Sequence, residues 1–241
     1  MDNIANKQLA HNHVSVDCVL IGFDGEKLNV LLIKRAIGDL TDLNNMKLPG
    51  GLTYMDEELG DAASRVLIEH TGLQNLNLIQ FKTFGSKDRT KNPKDVLWLE
   101  RAVDSKIERI ITVGYLATVR LDKKLQNEAQ KHNAIWTNID QIGELAFDHN
   151  TIINEALQYV RYLVGMNLSY LFDLLPPKFT VAQLRILLGI VNNKTYDIKN
   201  FHKKLPQMPY LIPLEEKEKG VAHRAAKYYK FDGKQYVKMH K

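Results

Sequence analysis

The chain has 241 residues, of which 44% are hydrophobic and 25% charged, and it carries a formal net charge of +5. This size and composition predict a globular protein with one large domain or two smaller ones, and no stretch approaches the roughly 18 apolar residues that a membrane span needs. The N-terminus shows no basic region followed by an apolar run, and a single cysteine, Cys18, excludes an internal disulfide and a cysteine-rich zinc site, so we expect a cytoplasmic protein.

Two apolar segments near the start predict a β-hairpin. Residues 16–24 (VDCVLIGFD) and 27–36 (KLNVLLIKRA) are rich in branched apolar residues, and the turn signal Asp24-Gly25-Glu26 separates them. Cys18 lies within the first segment, where its apolar neighbours predict a buried strand residue rather than a nucleophile.

Later apolar runs predict further strands. They cover residues 76–84 and 110–120. Between them, residues 87–109 are charged and partly helical in pattern (PKDVLWLERAV), so we expect an insertion or surface excursion there. Together with the helix discussed next, these strands indicate an α+β sandwich.

The segment 51–73 (GLTYMDEELGDAASRVLIEHTGL) has a distinctive spacing of glycine and charged residues. It resembles the Nudix box G-x5-E-x7-R-E-U-x-E-E-x-G-U, where U is aliphatic, at Gly51, Glu57, Arg65, Leu67, Glu69, Gly72 and Leu73. Val66 and His70 stand where that box has Glu. Residues spaced i, i+3 and i+4 share a helix face, so three box carboxylates can hold Mg²⁺ against a pyrophosphate, and only Glu69 of the three remains. We therefore predict a degenerate box with weak or absent hydrolysis, no bound metal and no cofactor.

A purely structural interpretation of the same segment is an ordinary helix. Asp56 would then be the N-cap, Glu57 and Glu58 would suit the positive helix end, and Gly72 would be the C-cap. An apolar stripe at helical spacing supports a helix in either case, and it consists of Leu59, Ala62, Ala63, Val66 and Leu67. A chance match to the box identities at this spacing is rare, which favours inheritance from a Nudix ancestor.

Residues 148–175 have a helical pattern with a broad apolar stripe. Asp148 is placed to cap the helix, and a stripe of this width needs two partners. Packing within one chain and a contact in a dimer are both compatible with it.

The charge is divided unevenly along the chain. From Pro176 onward there are 14 Lys and Arg against 5 Asp and Glu, a net of +9, which leaves −4 for residues 1–175. A basic module joined to an acidic one predicts a polyanionic partner for the C-terminal part, most simply nucleic acid. Pro176-Pro177 marks the boundary.

After the prolines, the pattern predicts a helix-turn-helix. Thr180 caps a first helix, Asn192-Asn193-Lys194 forms a turn, and Asp197 caps a second helix. Ile198, Phe201 and Leu205 are expected to point inward. The residues left facing outward are of groove-reading and phosphate-binding types, namely Lys199, Asn200, His202, Lys203 and Lys204.

Two short strands then predict a wing. Residues 211–214 (LIPL) and 227–231 (KYYKF) are joined by a loop that carries the DNA-binding candidates Lys217, Lys219, His223 and Arg224. A lysine-rich helix is also common as a simple solvated face, which is the structural alternative to DNA binding.

The chain as a whole resembles the Nudix-related transcriptional regulators. Beyond the altered box, the likeness rests on the segments 83–89 (TFGSKDR), 111–117 (ITVGYLA), 145–149 (LAFDH), 200–205 (NFHKKL) and 223–232 (HRAAKYYKFD), of which LAFDH is the most specific. The resemblance implies a Nudix-type α/β/α sandwich followed by a winged helix-turn-helix domain. We assign residues 1–149 to a Nudix-like effector-binding domain, 150–175 to linker helices and 176–241 to the winged helix.

What the family implies is a sensor rather than an enzyme. We expect a repressor that binds a palindromic operator in double-stranded DNA as a homodimer, and whose DNA affinity changes when the Nudix domain binds a small effector. Two alternatives from other classes stay open. One is an active Mg²⁺-dependent Nudix hydrolase that uses Glu57 and Glu69, and the other is an RNA-binding module.

The effector divides the family into two branches. One resembles ADP-ribose sensors of NAD metabolism, and the other resembles sugar sensors of carbohydrate metabolism, notably for L-arabinose. Loss of the box acids and the long stretch between Arg89 and Arg109 favour the sugar branch, with ADP-ribose as the second choice. The candidate effector-binding residues are Lys34, Arg35, Lys47, Phe84, Asp88 and Arg89, and strand packing is the alternative role for Phe84.

Overall fold

The computed structural model describes residues 10–35, 46–103, 109–220 and 225–240. The chain forms two compact units. The first contains the described residues up to Leu20, Val30–Ala117 and Lys123–Ala156. The second contains Ile21–Asn29, Thr118–Asp122 and the described residues from Leu157 onward. In the part of the chain that the structure covers, no helix is long and apolar enough to cross a bilayer.

A seven-stranded sheet, counted over the described residues, forms the centre of the first half of the chain. Its strands are β1 (Ala10–Phe23), β2 (Leu28–Lys34), β3 (Met46–Lys47), β4 (Gly50–Tyr54), β5 (Ile79–Phe84), β6 (Ile111–Arg120) and β7 (Ala134–Asn138). The order is β3-β2-β1-β6-β5, with β4 paired to β1 and β7 paired to β2. The predicted N-terminal hairpin is confirmed, and Cys18 is buried in β1. The strand predicted over 76–84 begins only at Ile79.

The hairpin turn owes its shape to one carboxylate. Asp24 Oδ1 accepts hydrogen bonds from the backbone N–H groups of Glu26 at 2.9 Å and Lys27 at 2.7 Å. Gly25 adopts φ +108°, a value that side-chain-bearing residues rarely adopt. The turn signal in the sequence therefore corresponds to an Asx turn closed by Asp24.

Among the described residues, four helices belong wholly or partly to the same half of the chain. They are α1 (Leu59–Thr71), α2 (Pro93–Val103), α3 (Lys123–Lys131) and α4 (His149–Met166), and a short 3₁₀ turn covers Ile139–Gln141. In α1 the predicted apolar stripe is buried, and Gly72 ends the helix in the left-handed conformation at φ +69°. The prediction of Asp56 as N-cap is wrong. Glu58 holds the N-cap position, because Glu57 is engaged with the loop before the helix.

The segment 87–109 differs in part from expectation. Its helical pattern is confirmed as α2, and most of its described residues are exposed or half-buried, but Arg89 and Asp95 are only 6% and 2% exposed. Charged residues at this depth require partners, and their pairing leads to the candidate site described below.

The second half of the chain is a winged helix. It contains α5 (Ser169–Phe172), α6 (Val181–Asn192), α7 (Ile198–Lys204), α8 (Gly233–Met239) and the strands β8 (Phe179–Thr180), β9 (Leu211–Lys217) and β10 (Lys227–Phe231), with a 3₁₀ turn at Leu205–Gln207. The strands form a sheet in the order β8-β10-β9. The predicted caps are confirmed: Thr180 forms a capping box with Gln183, and Asp197 accepts a hydrogen bond from the N–H of Asn200.

Aromatic packing holds the winged helix together. The rings of Phe172 and Phe231 stack with centroids 3.9 Å apart, and Tyr210 meets Tyr236 edge to face at 5.1 Å. The hydroxyl of Tyr236 accepts a hydrogen bond from the N–H of Leu168. The domain core is thus formed by rings from α5, β10, α8 and the segment before β9.

Replacing Thr180 by Ala removes the oxygen that accepts the N–H of Gln183 and should lower the stability of the winged helix by about 1 kcal/mol. Urea unfolding followed by circular dichroism measures this. Thr195→Ala, at an exposed position between α6 and α7, is the matched control and should change stability little. Equal stability of the Thr180 variant and the unchanged protein would contradict the capping role.

Candidate functional site

The charged residues of the altered box are fully engaged in a structural contact. Arg65 donates to both oxygens of Glu57, at 2.9 and 2.5 Å, and to the carbonyl of Leu52 at 3.0 Å, and it approaches Glu69 at 3.2 Å. Its guanidinium lies 3.9 Å from the ring centroid of Tyr54. The hydrogen bond from Arg65 lowers the pKa of Glu57. Glu57 and Arg65 therefore fix the loop between β4 and α1.

Of the two altered box positions, Val66 offers no metal ligand. Val66 is 1% exposed and packs beside Gly51, where an added Cβ would lie 3.2 Å from a Val66 methyl group. Burial and the nearby Lys47 charge lower the pKa of His70 to about 4, so this ring is neutral at pH 7. Within the described residues, no group of three or more His, Cys, Asp and Glu side chains could hold a metal ion.

A cavity of about 40 Å³ lies beside β1, β3 and β4. Its lining combines charged, small and apolar residues: Ser15, Asp17, Lys47, Gly50, Gly51, Leu52, Arg89, Thr90, Leu99, Ile110, Phe147 and His149. β1, β3, β4, the segment after β5, α2 and the start of α4 all contribute. A concave site with apolar walls and a few convergent polar groups is typical of small-molecule binding.

A buried carboxylate is the centre of this lining. Arg89 Nη2 lies 3.2 Å from an oxygen of Asp17 and 3.2 Å from an oxygen of Asp148. His149 Nε2 lies 3.4 Å from the other oxygen of Asp17. The N–H of Leu48 donates to His149 Nδ1 at 3.0 Å, so the proton of this imidazole is on Nε2, facing Asp17. We call Asp17, Arg89, Asp148 and His149 the ion cluster.

The ion cluster keeps Asp17 ionised. Burial alone would raise the pKa of Asp17, but the contact with His149 and the charges of Arg89 and Lys47 outweigh it and hold that pKa well below its usual range. The position of Asp17 also fixes its neighbour. An added Cβ at Gly50 would lie 2.0 Å from the Asp17 carboxylate, so β4 approaches this closely only with glycine there.

Lys47 is a second buried cation in the cavity. Its Nζ donates to the carbonyl of Gly50 at 2.8 Å and lies 5.3 Å from the ring of Trp98. Burial lowers its pKa to about 8, against the opposing attraction of Asp17. Lys47 is therefore charged at pH 7 but held in a position that does not favour its charge.

One wall of the cavity is a strained aromatic residue. Phe147 adopts φ +57°, a conformation that is an outlier for a bulky side chain. Its N–H donates to Asp95 at 2.8 Å, and Asp95 in turn is paired with Arg35 at 2.5 Å. The Phe147 ring lies 5.3 Å from the ring of His149. The pairing of Asp95 thus holds Phe147 in place beside the ion cluster.

Some buried donors in this region lack protein partners. Arg89 Nε and Nη1, and Arg35 Nε, make no hydrogen bond to the described residues. An unsatisfied buried donor costs about 1–3 kcal/mol, so a ligand oxygen that accepts from Arg89 would be bound favourably.

A second candidate surface lies on α7. Phe201 is buried, whereas Lys199, Asn200, His202, Lys203 and Lys204 are all exposed. The prediction that Ile198 points inward is wrong, because it is 59% exposed. As the first residue of α7, it lies beyond the end of the buried stripe. Leu205 is half-buried.

The described part of the wing carries mixed charges. Lys217 and Lys219 are exposed, but they alternate with acidic residues, and one of these, Glu216, is paired with Lys178 at 2.6 Å. His223 and Arg224 lie outside the described residues. The exposed positive charge of the described part is therefore more concentrated on α7 than on the wing.

Comparison with known families decides the classification. A model of the NUDIX domain matches residues 11–159, more than half of the chain. The chain belongs to the Nudix family. A model described as the NrtR DNA-binding winged helix domain matches residues 171–231, which places the chain among the Nudix-related transcriptional regulators. No curated protein matches the sequence.

Of three similar solved structures, the first two agree on the fold. Shewanella oneidensis NrtR, in a complex with a 27mer DNA, matches with a TM-score of 0.63 and 24% identity over 90% of this chain and 93% of that one. A MutT/nudix family protein from Enterococcus faecalis matches with a TM-score of 0.57 and 22% identity over 96% and 89%. The NUDIX domain of the Shewanella NrtR, complexed with ADP-ribose, matches with a TM-score of 0.45 and 24% identity over 66% and 94%.

The six effector-binding candidates are not all in one place. Lys47 and Arg89 line the cavity of the Nudix domain. Arg35 is not in the lining, but it pairs with Asp95, which accepts a hydrogen bond from the lining residue Phe147. The other three lie outside the lining: Lys34 is exposed, Phe84 packs against Phe81 with ring centroids 5.9 Å apart, and Asp88 pairs with Lys91.

Sequence reasoning missed the centre of the cavity. The sequence pattern places Asp17 in a strand and predicts Asp148 only as a helix cap. In the structure both carboxylates lie 3.2 Å from Arg89. A signal was present in both cases. Asp17 interrupts an otherwise apolar strand, and the LAFDH segment supplies Phe147, Asp148 and His149 together. A charge inside an apolar strand indicates a buried partner.

Replacing Lys47 by Met should raise the free energy of unfolding at pH 7 by about 1–3 kcal/mol. The pKa of Lys47 is 10.5 in an unfolded chain and about 8 in the folded protein, so the charged amine is destabilised by folding. Each pKa unit of this difference corresponds to about 1.4 kcal/mol. Between these two values the unfolded chain holds more protons, so the stability of the unchanged protein should rise with pH and the advantage of Lys47→Met should shrink.

Urea unfolding of both proteins at pH 7 and pH 10 checks this. Lys34→Met, an exposed lysine on β2, is the matched control and should show no such gain. A loss of stability for Lys47→Met at pH 7 would mean that the attraction of Asp17 outweighs the cost of burying the ammonium group.

Proposed function

We propose that this chain is a ligand-responsive repressor whose non-catalytic Nudix domain binds a pentose, such as L-arabinose, in the cavity beside Arg89. The observation that carries this proposal is the ion cluster, which gives a buried site both acceptors and unsatisfied donors. The winged helix binds duplex DNA, and the bound sugar changes its affinity for the operator.

The charges of the cavity suit a neutral ligand. Lys47 and Arg89 are balanced by Asp17 within the lining and by Asp148 beside it. Sugar hydroxyls can donate to these carboxylates and accept from Arg89, whereas a pyrophosphate would meet two carboxylates at close range. Phe147, with Leu99 and Ile110, offers apolar surface for the C–H faces of a sugar ring.

We infer from the altered box that the Nudix domain does not hydrolyse a substrate. Arg65 and Glu57 are engaged with each other, and Val66 is buried beside Gly51. Glu69 remains as a carboxylate without the two companions that the box would supply, and hard divalent cations bind poorly to a single carboxylate. We therefore propose that the Nudix domain of this chain is a receptor.

The start of α4 offers a route for the effector signal. Asp148 and His149 belong to the ion cluster, and α4 runs from His149 to Met166. A ligand that accepts from Arg89 would change the charge balance beside Asp148, at the start of this helix. Such a ligand changes operator affinity only if it prefers one of two arrangements of the protein. Exposed Tyr162 and Met166, farther along α4, are candidates for a homodimer contact.

Replacing Leu99 by Trp should fill the cavity and abolish stabilisation by the effector without removing a charge. A ligand at 100 times its dissociation constant stabilises a protein by about 2.7 kcal/mol, which a thermal-shift titration with a pentose panel including L-arabinose would detect. Leu97→Trp, at an exposed position of the same helix, is the matched control and should keep the full shift.

The same titration distinguishes the other candidates. Parallel samples contain ADP-ribose with and without Mg²⁺, since the Nudix domain of the Shewanella NrtR was crystallised with ADP-ribose. A shift with ADP-ribose alone would replace the sugar by that nucleotide as effector. Cleavage of ADP-ribose that requires Mg²⁺ and is lost in Glu69→Gln would show an active hydrolase.

Replacing Lys203 by Ala should weaken binding of the full chain to duplex DNA of any sequence. If Lys203 contacts one phosphate, the slope of log K against log salt concentration should fall by about 0.9. Fluorescence anisotropy at several salt concentrations measures this, with Lys124→Ala on α3 as a control that should bind as the unchanged protein does. Tighter binding to RNA than to any duplex would favour the RNA-binding alternative.

A further inference from the structure

α7 exposes one side chain that neither its packing nor phosphate binding explains. In α6 and α7, both fully described, Ile198 is the single large apolar side chain that is mostly exposed. Other apolar residues of the helix pair, such as Leu187, Val191 and Phe201, are buried. Contact with water is unfavourable for an isoleucine, and this one sits on the same short helix as five exposed polar residues.

The charges of α7 divide the helix into two halves. The last turn holds His202, Lys203 and Lys204, where positive charge also suits the helix dipole. The start is closed by the carboxylate of Asp197, which accepts the N–H of Asn200 at 2.9 Å. The last turn thus carries the cluster of positive charge that attracts phosphate. At the first turn the helix is already capped by Asp197 and Ile198 is exposed, so we expect the first turn to face the bases.

We propose, on the basis of the DNA-binding function above, that Ile198 is a specificity-determining residue that contacts the C5 methyl group of a thymine in each operator half-site. In helix-turn-helix proteins the N-terminal residues of the second helix reach base edges in the major groove. The thymine methyl is the apolar group that this groove presents, and apolar side chains pack on it. Lys199 and Asn200, which follow directly, are types that hydrogen-bond to guanine and adenine.

The side chain is positioned for this role by the cap. Asp197 fixes where α7 begins, so Ile198 occupies the first helical position. Phe201, one turn later, anchors the helix in the domain core and meets Tyr196 edge to face at 5.8 Å. An isoleucine on a rigid helix start loses little conformational freedom when it packs on a base.

The test begins with the full chain and a randomised duplex pool, from which bound sequences are enriched. Each thymine of the enriched site is then replaced by deoxyuridine, which removes only the methyl group. For the unchanged protein, affinity should fall about fourfold at one thymine per half-site, the effect of exposing one buried methyl or methylene group.

Ile198→Ala should bind the thymine duplex more weakly than the unchanged protein does, and should lose nothing further on the deoxyuridine duplex. Lys203→Ala is the matched control, since it should weaken binding to both duplexes equally and keep the fourfold difference. Circular dichroism establishes that the variants are folded, which the exposure of Ile198 leads us to expect.

Two results would overturn the assignment of Ile198. One is an unchanged protein whose affinity is insensitive to deoxyuridine at every position, and the other is an Ile198→Ala variant that keeps the full penalty. Failure of the unchanged protein to enrich any duplex would have a different meaning, because it would remove the DNA-binding function on which the assignment depends.

Discussion

The structure of the Nudix domain depends on an ionised carboxylate that is buried inside a β-sheet. Asp17 is shielded from water, and its direct contacts with Arg89 and His149 make its charge tolerable. Each partner comes from a different part of the chain. Breaking a buried pair by removing one member typically costs 3–5 kcal/mol, so the cavity and the fold around it are specified by the same contacts.

Different arginines of the domain stabilise the fold and face the cavity. The pair formed by Glu57 and Arg65 closes the loop before α1, and each of the three side-chain nitrogens of Arg65 donates to a protein oxygen. Arg89 is different, because two of its nitrogens have no protein partner within the described residues. The domain thus has a Nudix fold, and the donors that are available to a ligand belong to the ion cluster rather than to the box.

Local signals made much of the fold predictable from the sequence. Thr180, Asp197 and Gly72 end or begin helices where their chemistry requires it, and Asp24 closes the turn that its residue type predicts. Such features depend on residues a few positions apart.

The cavity was harder to predict because it depends on contacts between residues that are far apart in the chain. Arg89 and Asp17 are 72 positions apart in the chain, and neither residue indicates its partner. A charged segment such as 87–109 is expected at the surface until its partners are known. The prediction for Ile198 was wrong for a local reason. Helical periodicity predicts that Ile198 is buried, but α7 begins at this residue and its side chain is 59% exposed.

The contact between Arg65 and Glu57 has a consequence for how such proteins are classified. A pattern search scores both residues as evidence for catalysis, yet here their side chains bind each other, Tyr54 and Leu52. What the pattern detects in this chain is therefore a clamp on a loop. Because this clamp serves folding, a chain can keep matching these two positions of the signature whether or not it hydrolyses a substrate.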